Sequence, residues 1–254
     1  KQSDPEKIRK EVIELLTNFE SRLAQGDLRQ KVIALIPIRN LLNDLGSSLI
    51  PAEIASSAGD RIVADLQRYP LTVIDGQELA VVAGISEYAR RVRELRREFG
   101  WSVATGVTLG EMIEAGEGLT SDLSGLKPDH YVLLSSKQDR DAALRWNVAN
   151  EIRKRKGLSV RDRILEFLKA NVERPVTNEE LRYVAGDKTE WARRVRELRT
   201  EFGWQIVTQN TGNPDLPVGS YVLQTLEQLP EHDRHIPDEV KARVLERDGF
   251  ACVN

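Results

Sequence analysis

In the second half of the chain, apolar residues recur three and four apart in three short stretches and then alternate or run together in two more. Ser159 precedes Ile164, Leu165, Phe167 and Leu168, which predicts a capped helix over 160–170. Pro175-Val176-Thr177 reads as a short extended piece. Thr177 or Asn178 then caps a brief helix through Leu181, Val184 and Ala185, which Gly186 ends. Thr189 is the expected cap of a third helix, whose apolar positions Trp191, Val195, Leu198 and Phe202 are spaced four, three and four before Gly203. Residues 204–207 and 220–223 read as strands around a turn-rich loop. Three helices followed by a hairpin is the element order of a winged helix-turn-helix.

The same pattern occurs earlier in the chain. Residues 89–101, ARRVRELRREFGW, return as 192–204, ARRVRELRTEFGW, with Arg97 against Thr200 as the one difference. Asp60-Arg61-Ile62 matches Asp162-Arg163-Ile164, Glu78-Leu79 matches Glu180-Leu181, Val82-Ala83-Gly84 matches Val184-Ala185-Gly186, and Tyr131-Val132-Leu133 matches Tyr221-Val222-Leu223. A period near one hundred residues exceeds the roughly 20 to 50 of solenoid repeats, so each copy is expected to be a small domain with its own core. The first copy predicts helices near 60–68 and 76–83, a third helix capped by Ser86, and strands at 101–105 and 131–134. Its wing carries the insertion VTLGEMIEAGEGLTSDLSGLKPD, whose acids and glycines make it a poor phosphate binder; it is expected to serve another contact or to be mobile.

Upstream, Asp4 and Pro5 open a helix with Ile8, Val12, Leu15, Phe19 and Leu23 on one stripe and Gly26 behind it. A second helical stretch, expected to break near Pro37, runs to Gly46. Between the copies, DRDAALRWNVANEIRKRKG reads as a connecting helix ending in four basic residues, Arg153, Lys154, Arg155 and Lys156, which suits a helix C-terminus. The expected fold is mainly α with small β-hairpins: an N-terminal helical region over 1–57, a winged-helix domain over 58–137, a basic connecting helix over 138–157, a second winged-helix domain over 158–229, and a tail over 230–254.

At 254 residues, 40% hydrophobic and 30% charged, the chain has room for two or three domains and the composition of a globular protein. No run of eighteen apolar residues and no signal peptide is found, and Cys252 is the single cysteine. A reducing cytoplasm, and no membrane partner, is the expectation. The first residue is Lys1 and the only methionine is Met112, so the natural start is expected to lie outside these residues. The net charge of −3 is no argument against a nucleic-acid partner, because phosphate affinity depends on where the positive charge lies. Residues 151–163 hold six Lys/Arg against two acids and 86–101 hold five Arg against three Glu, whereas 102–130 hold five acids against Lys127.

In a helix-turn-helix domain the second helix of the motif enters the major groove, with its N-terminal half facing base edges. With Tyr88, Val92, Leu95 and Phe99 turned to the core, Ser86, Glu87, Arg90, Arg91, Arg93, Glu94 and Arg97 become the outer positions. Their counterparts are Thr189, Glu190, Arg193, Arg194 and Arg196. Arg90 and Arg91 are the leading base-contact candidates, because a planar guanidinium can donate two hydrogen bonds to guanine while its neighbours neutralise phosphates. Arg153, Lys154, Arg155 and Lys156 suit a phosphate backbone. The competing reading is a solvated face laced with Arg–Glu pairs at helical spacing, each worth only some tenths of a kcal/mol. Tyr88 and Trp191 lie on the apolar stripe, which points to core packing before base stacking or methyl contact.

Residues 234–254, RHIPDEVKARVLERDGFACVN, resemble the opening of an HNH endonuclease domain. Ile236-Pro237 precedes a helix, Val240, Val244 and Leu245 form its apolar face, Arg247-Asp248-Gly249 makes the turn, and Cys252 stands where the zinc-knuckle CxxC begins. The whole order resembles bacterial restriction endonucleases of the HNH class. The resemblance implies a structural zinc, with Cys252 as its first ligand, and a divalent metal such as magnesium at a catalytic histidine further on. Cys252 alone makes no tetrahedral site, and no catalytic residue of that mechanism is expected within these residues. His232 and His235 precede the knuckle and read as solvated linker, and His130 reads as structural.

The reading that follows is sequence-specific recognition of double-stranded DNA by tandem winged helices, as part of an HNH restriction endonuclease. A requirement for base methylation stays open at this point. Cutting both strands calls for two active sites, so the resemblance also raises a homodimer, joined through the N-terminal helices or a nuclease domain. Two alternatives stand beside it: a non-enzymatic regulator binding an operator through the same helices, and a protein-interaction scaffold whose arginines are paired with glutamates.

Overall fold

The computed structural model describes residues 4–25, 27–116 and 125–230, with Arg243 and Glu246 beyond them. Most of the HNH-like segment, including Cys252, lies outside the described residues, as do His232 and His235. The described chain is mainly helical, with two small three-stranded antiparallel sheets.

Helices α1 (Pro5–Gln25) and α2 (Leu28–Ser48) form an antiparallel-style pair around Ile8, Val12 and Ile38, with Leu15, Phe19, Leu41 and Leu45 packed against them. Asp27 caps α2 by accepting from the Gln30 N–H at 2.8 Å. The break expected at Pro37 does not occur, since α2 runs through it. A helix-interior proline costs about 3 kcal/mol, and here it is offset by burial of Ile38 and contact of Leu41 and Leu45 with α1 just beyond it. Gly46, expected to end the helix, lies inside it. A Cβ there would stand 2.3 Å from the Val81 carbonyl oxygen, so the missing side chain is what lets α2 meet the next unit.

The first unit comprises α3 (Ala58–Arg68), β1 (Ile74–Asp75), α4 (Gly76–Ala83), α5 (Tyr88–Arg97), β2 (Ser102–Thr105), α6 (Gly106–Glu114) and β3 (His130–Ser135). Ser57 and Asp60 close a capping box at the start of α3. Arg61 then donates from Nε to Val82 O and from Nη2 to Ala83 O, which satisfies carbonyls at the end of α4 and ties the two helices together. After α7 (Ala142–Lys154), the second unit comprises α8 (Val160–Ala170), β4 (Val176–Thr177), α9 (Asn178–Val184), α10 (Trp191–Thr200), β5 (Trp204–Val207) and β6 (Ser220–Gln228). Ser159 caps α8, and Thr177 caps α9 in a box with Glu180, as their positions predict. Both units share one strand order, β1-β3-β2 and β4-β6-β5, with the short strand preceding the second helix on one edge. Ile74 pairs with Tyr131 in the first unit and Val176 with Tyr221 in the second.

The insertion in the first unit contains α6, a helix the sequence reading lacks. Thr105 caps it, and Leu109 and Met112 are buried. Strand β3 explains where they go: Tyr131 and Leu133 belong to the core of the first unit, while Val132 and Leu134 join Leu109, Met112 and the core of the second. With side chains alternating along the strand, one strand serves two cores. Helix α7 also belongs to the second core, burying Trp146, Ala149 and Ile152. No helix among the described residues is long and apolar enough to cross a membrane.

Candidate nucleic-acid interface

Helices α5 and α10 bury one face through Val92 and Leu95, and through Trp191, Val195 and Leu198. Tyr88 is partly buried against the first core and Trp191 fully buried, so both aromatics are packing residues. Phe99 departs from the expected stripe and is 51% exposed. It lies past the end of α5, where helical phase no longer sets its direction, and Gly100 at φ 70° turns the chain away. Its counterpart Phe202 is partly covered by the Arg161 guanidinium, 4.4 Å from the ring centre; the first copy has Gly59 at the matching place.

Ser86 and Thr189, expected as caps, are exposed one residue too early. The cap positions are Glu87 and Glu190, and neither makes a side-chain cap bond. A tight backbone turn meets the need instead, with the Arg90 N–H donating to Glu87 O at 3.1 Å and the Trp191 N–H to Lys188 O at 3.3 Å.

The exposed N-terminal halves of both helices carry the same fork. Glu94 accepts from Arg90 Nε at 3.0 Å and from Arg91 Nη1 at 2.6 Å. Glu197 accepts from Arg193 Nε at 3.1 Å and from Arg194 Nη1 at 2.7 Å, and Glu190 takes a further bond from Arg194 Nη2. Hydrogen bonding from Arg91 holds the Glu94 carboxyl below the ordinary range; at Glu197 burial pushes the other way, and Arg194 and Arg193 prevail. In both copies the first arginine spends Nε on the glutamate and keeps its two terminal nitrogens clear of it. Arg93 is exposed with no ion pair among the described residues.

Other expected contact residues are drawn into the protein. Arg97 does not sit on the outer face: its guanidinium lies 4.9 Å from the Trp146 ring centre and 4.7 Å from that of Tyr183, and burial lowers its pKa. Arg196, though exposed, donates to the Ala115 carbonyl at the end of α6. Arg153 is bound to Asp187 at 2.7 Å, to Tyr183 O, and to the face of the Tyr183 ring. Arg155 pairs with Glu166 at 2.6 Å, while Lys154 and Lys156 are exposed.

Charged residues that sequence reasoning passed over line the junction between the units. Glu179, at the start of α9, accepts from Arg96 of α5 and from the Thr105 N–H, the latter at 2.7 Å. Buried Arg145 of α7 bridges Asp139 at 2.6 Å and Glu180 at 2.9 Å. Burial disfavours its charge, but Glu180 and Asp139 outweigh that and raise its pKa. Glu111 of α6 accepts from Arg182 Nε at 2.9 Å and from the Trp191 indole at 2.8 Å. The insertion of the first copy is thus a contact to the second. For the contact made by α5 the signal in the sequence was the Arg97/Thr200 difference.

Among the described residues no group of three or more His, Cys, Asp and Glu side chains is placed to hold a metal ion. The family model described as the KpnI N-terminal domain matches residues 59–134 and 161–224, which together make up more than half of the chain and coincide with the two units. No curated protein and no solved structure matches the chain.

Proposed function

The chain belongs to the KpnI N-terminal domain family, KpnI being an HNH-type restriction endonuclease, and from that premise we propose that it is the part that reads double-stranded DNA. The two units act as winged helices, over 58–137 and 158–229, with α5 and α10 in the major groove. The observation that carries this reading is the repeated fork, in which two arginines, the first of them exposed, are held by one glutamate at the same place on both helices. A guanidinium whose Nε is already engaged has Nη1 and Nη2 left to meet the O6 and N7 of a guanine. Arg90 and Arg193 take that role, Arg91 and Arg194 support it, and Arg93, Lys154 and Lys156 meet phosphates.

A cytoplasmic location and the metals of a complete HNH domain, a structural zinc and a divalent ion such as magnesium, go with this reading. Cleavage belongs to that nuclease domain, and dimerisation through it or through α1 and α2 would supply the second cut. The pairing of Arg90, Arg91, Arg193 and Arg194 with glutamates favours one other reading, a protein-interaction scaffold. The first arginine of each fork faces solvent, however, Arg90 at 64% and Arg193 at 62% exposure, and ion pairs open to water contribute only about 0–1 kcal/mol, so a duplex can take these two arginines over.

The deciding experiment is selection of bound DNA from a randomised duplex pool, methylated and unmethylated, at physiological salt. Enriched base blocks support DNA reading, and enrichment in the methylated pool alone identifies a modification-dependent reader. Binding without enrichment that vanishes as salt rises overturns it in favour of the scaffold.

A further inference from the structure

Two DNA-binding units joined by a loose linker accept their half-sites at many spacings, because the linker absorbs the difference. This chain is built otherwise. We propose that the junction fixes the separation and rotational phase of α5 and α10, so that the chain selects duplexes carrying two base blocks at a single spacing. The inference rests on the DNA-reading function proposed above and names the class of substrate it takes.

Both helices are bound directly to the opposite unit. Arg96 and Arg97, in the last turn of α5, reach Glu179, Trp146 and Tyr183 of α9 and α7. Trp191, the first residue of α10, donates its indole to Glu111 of α6, and Arg196 of the same helix donates to the carbonyl that follows α6. The connection is not a tether, because α7 is packed into the second core and its Arg145 is buried between Asp139 and Glu180. Separating the units would expose the apolar faces of α6 and β3 and strand charges that are now paired, which makes a hinged state costly.

Several differences between the copies fall on this junction. The forked arginines are the same in both helices, Arg90 and Arg91 against Arg193 and Arg194. Arg97 against Thr200, Tyr88 against Trp191 and the insertion bearing α6 all lie where the units meet or pack. Identical reading faces and divergent contact faces are what a ruler made from two equal pointers requires.

One inserted base pair moves the second block by about 3.4 Å along the axis and turns it by about 35°. The test takes the full chain and a duplex carrying both blocks recovered from the randomised pool, with one, two or five base pairs inserted or deleted between them. Each change is expected to weaken binding about tenfold or more, toward the level of a duplex with one block. Affinity that stays within about twofold across the series overturns the ruler and leaves DNA reading intact, whereas a pool with no enriched block overturns the reading beneath it. A second arm uses Arg97→Thr combined with Glu179→Gln. The spacing penalty is expected to shrink while affinity for a one-block duplex stays unchanged. A penalty that persists, or a loss that falls equally on one-block duplexes, shows these residues are not the ones that set the spacing. If that variant fails to fold, the spacing series on the unaltered chain still decides.

Discussion

The Arg97 guanidinium stands over the rings of both Trp146 and Tyr183, 4.9 and 4.7 Å from their centres. The same position in the second copy is Thr200. One residue difference in thirteen therefore decides whether this helix end carries a guanidinium that can reach two rings. Tyr183 lies between Arg97 and Arg153, each facing the ring, so the contact joins α5, α9 and α7 at one point.

Arg97→Thr, which makes the copies alike, is expected to lower unfolding stability by about 1 to 2 kcal/mol, the scale of a partly desolvated cation–π contact. Denaturant unfolding measures it. The reciprocal change Thr200→Arg should give no comparable gain, since Trp146 and Tyr183 already receive Arg97. Equal and opposite effects from the two would mean that α5 and α10 differ in helix propensity and not in what Arg97 touches.

Glu94 and Glu197 each hold two arginines. Replacing either by glutamine removes a negative charge beside the reading face and loosens the two guanidinium groups. Total duplex affinity at low salt is expected to rise, and discrimination between the best site and a single mismatch to fall, at the block read by that helix alone. Competition binding with matched and mismatched duplexes separates the two effects. A uniform loss of affinity without loss of discrimination would mean that the glutamate itself touches DNA.

Much of this arrangement was legible in the chain because it depends on local periodicity. The apolar spacing of α8 and the capping threonine of α9 place those helices within a residue or so of where they lie, whereas α10 ends at Thr200, short of the expected stop at Gly203. The repeated segment likewise placed Arg90, Arg91, Arg193 and Arg194 on one face, Arg194 being half-buried there. Local pattern fails where the answer depends on residues far away in sequence. Arg96 and Glu179 are 83 positions apart, and nothing in the spacing of either names the other. Helix α6 was missed for a related reason. Its acids and glycines read as a wing that binds phosphate poorly and either serves another contact or is mobile, although Thr105 and the Leu109–Met112 pair carried a helix signal; Glu111 is buried because Arg182 and Trp191 come to it from the other unit. Pro37 failed in the opposite direction, since packing with α1 carried the helix through a residue that usually stops it.

Gly46 is the one place in α2 where the helical pair closes against the first unit without a side chain. Gly46→Ala would put a Cβ 2.3 Å from the Val81 carbonyl oxygen, which is backbone and cannot swing aside. The higher helix propensity of alanine, worth about 1 kcal/mol, works in favour of the variant, while overpacking costs about 1 to 3 kcal/mol. Net destabilisation is expected, together with faster proteolysis between α2 and α3. A stabilised variant would mean that α2 does not sit against α4 as described.

Asp65, in α3, is 9% exposed, and its Oδ2 has no hydrogen-bond partner among the described residues. The matching residue of the second copy is Phe167, which lies in the core. Burial, helped by the nearby charge of Glu78, pushes the Asp65 carboxyl above its ordinary value. A carboxyl with a raised pKa in the folded protein binds its proton more tightly there than in the unfolded chain. Its contribution to stability is therefore fully present below the unfolded value of about 3.9 and is lost as pH rises through the folded value. At neutral pH the ionised side chain is a liability. Asp65→Asn is expected to stabilise the protein by about 1 kcal/mol at pH 7, on the scale of an unpartnered buried polar group, with the advantage shrinking as the pH is lowered toward 4. Thermal unfolding of both proteins across that range measures the difference. An advantage that grows as pH falls would mean that Asp65 is held ionised by a partner, with Arg68, whose charge favours the ionised form, as the first residue to replace.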